Sequence, residues 1–219
     1  MPIPVIECAG TPREMGRQFG EATRESARAM VESRLQLAER AAGRLDVPRD
    51  RQWCLDLAAE TVPALEQYSP PVFEEFAGIA EATGLSLPEL VIGNGWTDFK
   101  DLISARGASH NCTSIAAGAP LTADGHTYIA QTWDMNVTAA PHLVVVRRHP
   151  SDGPRTLTLT TAGPTSPATR TKVSSRSDAR TFAYRLRPPQ QHATIARTST
   201  GIFFIIVQKS EDRSQTAAS

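Results

Sequence analysis

The sequence predicts an α+β fold with its helices gathered in the first hundred residues. Two observations carry this. Apolar side chains recur at helical spacing, behind good capping signals, as far as about Ile92. From Cys112 onward that periodicity gives way to short runs rich in β-branched residues, set apart by turn signals. Helices followed by an antiparallel meander belong to layered α+β architectures.

The elements follow in order. Val5 to Ala9 reads as a short strand. Thr11-Pro12-Arg13-Glu14 opens a helix: the Thr11 hydroxyl caps it, Pro12 suits the first helical position, and Glu14 completes a capping box. Met15, Phe19, Ala22, Ala29, Met30 and Leu37 carry the apolar face to about Ala42, where Gly43 is the stop. A second helix is expected from Asp50 to about Thr61, burying Trp53, Leu57 and Ala58. A third runs from about Pro71 to Thr83 on Val72, Phe73, Phe76, Ile79 and Ala80, and Gly84 ends it. Ser86-Leu87-Pro88-Glu89 is a second capping box, opening a short helix to about Ile92.

Cys112 to Gly118 reads as a strand. Ala123-Asp124-Gly125-His126 is a hairpin turn, and Thr127 to Trp133 is the returning strand. His142 to Arg148 and Thr156 to Thr161 are two more strands, joined by the turn Ser151-Asp152-Gly153-Pro154. Beyond Gly163 only Gly201 to Gln208 reads as a strand.

A length of 219 residues suits one large domain, or one domain with a tail. The 23 basic and 23 acidic side chains cancel, so no affinity for nucleic acid or anionic membrane is expected. The opening MPIPVIECAG has neither the basic nor the apolar region of a secretion signal, and Ile202 to Val207 is too short to span a bilayer. Three scattered cysteines, Cys8, Cys54 and Cys112, point to a reducing compartment, and a cytoplasmic location is expected. No CxxC or HExxH spacing occurs, so no metal is expected.

Charge is unevenly spread. Residues 1–163 hold 14 basic and 20 acidic side chains, and residues 164–219 hold 9 and 3. The break falls at Gly163-Pro164, and the text after it is rich in Ser, Thr, Arg and Pro. Such a segment cannot bury a core by itself. Its basic stretch from Arg170 to Arg187, interleaved only with Phe182 and Tyr184, reads as a solvated tail.

Chemistry points to Cys112. A thiol is a strong nucleophile once deprotonated, but it needs a base and an oxyanion hole. At the first residue of a strand, scission of the preceding peptide bond frees an α-amine with an ordinary pKa of about 7.7–8.0, a base on the same residue. Asp134, ending the returning strand, is the carboxylate that pairing could bring beside it. The plain reading of Cys112 is a buried small hydrophobe, and Cys8 and Cys54 are read that way. His110 could pair with Cys112, though a loop histidine is the favoured reading. His126, His142, His149 and His192 read as turn or surface residues, and Trp133 as core or pocket wall.

Four stretches stand out together: Cys8 to Gly20, with Gly10, Glu14, Gly16 and Gly20 in a Gly-x-x-x-Glu-x-Gly-x-x-x-Gly pattern; Phe76 to Ser86, with Gly78, Glu81 and Gly84; Cys112-Thr113-Ser114; and Ala130-Gln131-Thr132-Trp133-Asp134. Taken together they resemble the penicillin (isopenicillin-N) acyltransferase family of cysteine N-terminal-nucleophile (Ntn) hydrolases. They stand in the family's order and cover about residues 6–163.

The resemblance implies an αββα Ntn sandwich made as a precursor. Cys112 would attack the Asn111 carbonyl, and an N-to-S acyl shift would split the chain into an α/β heterodimer of residues 1–111 and the part that starts at Cys112. Asp134 would orient the new amine. Thr113, Gln131 and Trp133 would line the substrate pocket. An acyl-enzyme would form from a small-molecule amide or a thioester, with a coenzyme A thioester as a possible substrate and no cofactor. Gln131 stands where bile-salt hydrolases and penicillin V acylases carry Arg, which favours the acyltransferase branch; an amidohydrolase acting on acyl-amino acids or β-alanyl amides is the second reading within this class.

Two departures accompany the likeness. Fungal members have Gly where this chain has Asn111. Family members also continue well beyond Gly163 with further strands and an oxyanion Asn, so residues 164–219 are expected to be foreign to the family and the sandwich incomplete. The alternative reading is therefore a catalytically inactive, truncated remnant, or a binding partner of an intact paralogue.

Overall fold

The computed structural model describes residues 3–103, 114–117, 121, 123, 127–131, 137–153, 155–163, 192–197 and 202–210. It is a mixed α+β protein, as the sequence predicts. The chain divides into two compact units: Met1–Ser109 with Thr138–Thr169, and His110–Val137 with Arg170–Ser219.

The first unit begins with strand β1 (Val5–Gly10) and helix α1 (Pro12–Ala42). Thr11 and Glu14 form the expected capping box, and Gly43 closes the helix by donating its N–H to the Glu39 carbonyl. Helix α2 (Arg51–Tyr68) runs past the expected end near Thr61 and carries Pro63 in its interior. A proline there loses one helical hydrogen bond, but Leu65 beyond it packs on the core and holds the last turns. The stop comes from Pro70, which disfavours helical geometry at Ser69; that residue sits at φ −150° and ψ 81°.

Helix α3 (Pro70–Thr83) ends at Gly84, whose φ of 73° is left-handed. Helix α4 (Leu87–Asn94) starts from the capping box of Ser86 and Glu89. Helix α5 (Trp96–Ile103) goes beyond the helices expected from the sequence; Phe99 and Ile103 anchor it in the core.

After a short 3-10 turn (Val137–His142) come β4 (Leu143–Pro150) and β5 (Thr156–Thr161). The sheet order is β1-β4-β5, with β1 parallel and β5 antiparallel to β4. Side chains alternate across it. Cys8, Val144 and Val146 point inward and join the helical core of Phe19, Val31, Leu35, Phe76, Ile79 and Leu90. The opposite face carries Glu7, Val145, Arg147, Leu157 and Leu159, exposed or half-buried.

The second unit holds β2 (Ser114–Ala117), β3 (Thr127–Gln131), β6 (His192–Arg197) and β7 (Ile202–Ser210), in the order β2-β3-β7-β6, each neighbouring pair antiparallel. The expected meander is thus two hairpins in different sheets. The edges of β4 are taken by β1 and β5, and the outer edge of β3 is taken by β7. Residues beyond Gly163 supply β6 and β7, the first of which is not foreseen in the sequence. Their pairing partner comes from the earlier strand β3. Among the described residues, no helix is long and apolar enough to cross a membrane.

Candidate functional site

Of the predicted site residues, Gln131 lies at the end of β3, which pairs antiparallel with β2. Ser114 pairs with Gln131, Ile115 with Ala130, Ala116 with Ile129 and Ala117 with Tyr128. Antiparallel pairing sets the start of β2 against the end of β3. Gln131 is therefore placed opposite Ser114, the third residue of the Cys112-Thr113-Ser114 stretch. Asn111, Cys112, Thr113, Trp133 and Asp134 lie outside the described residues, as do His110 and His126.

The other motif residues lie in the first unit, and packing accounts for their spacing. A Cβ added at Gly16 would fall 2.1 Å from the Glu75 carbonyl oxygen, and one at Gly78 would fall 2.2 Å from that of Arg13. At Gly20 it would meet Ala82 Cβ at 2.7 Å. These glycines let α1 and α3 cross backbone to backbone. Glu14 accepts from the Thr11 backbone N–H at 2.8 Å, the main reason its carboxyl is held below the usual range. Glu81 accepts from Arg13 Nη2 at 2.6 Å, while Arg13 Nη1 reaches Glu74 at 2.9 Å, an exposed bridge between the same helices.

Other polar groups gather around the three-stranded sheet. On its outer face, Glu7 pairs with Arg147, and its Oε2 lies 2.9 Å from His149 Nε2. That hydrogen bond from His149, reinforced by Arg147, lowers the Glu7 pKa. On the inner face, Arg148 and Glu75 form an ion pair whose side chains are 6% and 8% exposed. Cys8 lies beside them, and burial pushes its thiol up to about 11. Cys54 is likewise raised by burial, so both thiols are inert core residues, as expected.

His142 ends the 3-10 turn, in keeping with its reading as a turn or surface residue. It is half-buried, and its Nδ1 lies 2.8 Å from Ser26 Oγ on α1. His192 opens strand β6.

Neither the Arg148–Glu75 pair nor the Ser26–His142 pair belongs to a sequence motif, yet the first leaves a trace in the sequence. Arg148 shares the inward parity of Val144 and Val146, and Glu75 falls on the stripe of Val72, Phe76 and Ile79. Among the described residues no group of three or more His, Cys, Asp or Glu is arranged to hold a metal ion. Compared with models of protein families and with curated proteins, the chain matches none.

Proposed function

We propose that this chain is a self-processing cysteine Ntn acyltransferase or amidohydrolase of the penicillin acyltransferase type. The observation that carries the reading is the pairing of Ser114 with Gln131. It pairs the strand that follows Cys112 in sequence with the strand that precedes Asp134, which supports the reading. The helical layer on one face of β1-β4-β5, and the half-buried Val145, Leu157 and Leu159 on the other, suit one half of an αββα sandwich.

In this reading the Cys112 thiolate adds to the Asn111 carbonyl carbon. The C–N bond breaks as the acyl group moves to sulfur, and the nitrogen takes up a proton. Water then hydrolyses the thioester, leaving a carboxylate on Asn111 and a free amine on Cys112. That amine, oriented by Asp134, takes the thiol proton in each later turnover. The thiol attacks an amide or thioester, releases the amine or thiol, and passes its acyl group to water or to an acceptor amine.

Intact-mass analysis of the purified protein tests this. Two chains, divided between Asn111 and Cys112, are expected, and one chain from the Cys112→Ala variant. A single wild-type chain, folded yet inactive on a panel of acyl amides and thioesters, would leave the non-catalytic remnant as the better reading.

A further inference from the structure

The ion pair between β4 and α3 leaves polar groups unmatched in a buried place. Arg148 Nε donates to Glu75 Oε1 at 3.0 Å. Nη2 lies 2.9 Å from the same oxygen, but it is not aligned for a hydrogen bond, so the contact is coulombic only. Nη1 has no acceptor among the described residues. Across the strand pair Arg148 stands opposite Thr156, and Thr158 is the next residue of β5 on that face. Both threonine hydroxyls are buried and have no hydrogen-bond partner among the described residues. Residues directly opposite in an antiparallel pair have Cβ atoms about 4.5–5.5 Å apart, and diagonal neighbours about 7–8 Å, so long side chains still reach one another. Arg148, Thr156 and Thr158 thus share the inward face of the β4–β5 pair.

The chemistry of these groups defines the occupant. Guanidinium N–H groups only donate, whereas a threonine hydroxyl donates and accepts. The occupant must therefore be small, accept from Arg148 and bond the hydroxyls. The guanidinium and the Glu75 carboxylate already balance each other. The neighbouring Cys8 thiol, pushed up to about 11, adds no charge. An anion would bring an uncompensated charge into a buried place, and a neutral molecule would not. Buried water, which takes two to four polar partners, meets every condition.

We propose that Arg148, Thr156 and Thr158 form an interior hydration site between β4–β5 and α3. There a water accepts from an Nη group of Arg148 and bonds the threonine hydroxyls, completing the shell of the ion pair.

Thr156→Val and Thr158→Val keep the shape and remove one hydroxyl each. If the hydroxyls bind water, each variant should lower the folded-to-unfolded ratio about fivefold in urea titration, the size of one net hydrogen bond. If they are truly orphaned, removal leaves the ratio unchanged or raises it, and the proposal falls. A crystal structure grown with bromide in place of chloride supplies the second arm. Water density within hydrogen-bond distance of Arg148 Nη1 and a threonine hydroxyl supports the site. Anomalous bromide density there, or a hydroxyl bonded directly to the guanidinium, overturns it.

Discussion

Ser26 of α1 and His142, the residue before β4, are joined by a hydrogen bond, Oγ to Nδ1, of 2.8 Å. The His142 carbonyl also accepts from the Ala162 N–H at 2.7 Å, closing the end of the β4–β5 hairpin. One residue thus ties a helix to a sheet through both its side chain and its backbone.

Acid should loosen this tie. Burial, and then the positive charge of Arg34, lower the pKa of His142 in the folded protein. The unfolded chain binds the proton at an ordinary value of about 6.5. It therefore holds more protons than the folded chain just below that pH. Stability is full above the unfolded value and is lost as pH falls through the folded one. Urea midpoints measured at pH 7.5 and 5.5, above the carboxylate range, should drop on acidification. The drop should shrink in His142→Asn, and an NMR titration of His142 should give a value below that of a free imidazole.

The crossing of α1 and α3 leaves no room for a methyl group at Gly16 or Gly78, because the atoms that a Cβ would meet are backbone. Gly78→Ala would gain helix propensity on an exposed helix, yet here it must push two helices apart. Overpacking of this kind costs typically about 1–3 kcal/mol, and a fall in thermal midpoint by circular dichroism should report it. Gly43→Ala is the control, since its Cβ would come no closer than 3.3 Å to the Glu39 carbonyl oxygen and its φ of −66° suits any residue.

Those same glycines show what the sequence makes legible. Caps and apolar stripes are local, so α1, α3 and α4 are readable from Thr11, Gly84 and Ser86. The end of α2 is not, because Leu65 is held by tertiary packing across a proline. Helix α5 has a stripe of Trp96, Phe99 and Ile103, but it is only two turns long. Strand pairing is non-local. The β2–β3 hairpin is readable from its turn, but the parallel seating of β1 on β4 joins residues 140 apart in sequence and leaves no local sign. For the candidate site, the strands next to Cys112 and Asp134 and their register are described, whereas those two residues are not.

Glu75 and Arg148 invite a test of whether a buried ion pair stabilises or merely specifies. Glu75→Ala leaves a guanidinium buried without its carboxylate, and breaking such a pair typically costs about 3–5 kcal/mol. Replacing both partners by apolar residues, Glu75→Leu with Arg148→Met, removes both charges together and should recover most of that loss. Urea unfolding of Glu75→Leu, Arg148→Met and the double variant closes the cycle, with Glu75→Ala as the truncation reference. A double variant as unstable as Glu75→Ala would show that packing at this spot, rather than charge, sets the cost.

Thiol accessibility offers a test of the proposed nucleophile that does not depend on knowing a substrate. Cys8 is 1% exposed with its thiol raised to about 11, and Cys54 is 0% exposed with its thiol also raised by burial. Neither offers a thiolate to reagent at neutral pH. A catalytic Cys112 must be reachable, and its own freed amine should draw off the thiol proton. Native protein treated with iodoacetamide at pH 7 should therefore take one label, which peptide mapping should place on Cys112, and urea should release the other two. Cys112→Ala should take none while folded, and Asp134→Asn should slow the labelling by loosening the amine. Rapid native labelling of Cys8 or Cys54 would contradict the packed core of the first unit. Native Cys112 that resists the reagent would remove the nucleophile from the proposed reaction.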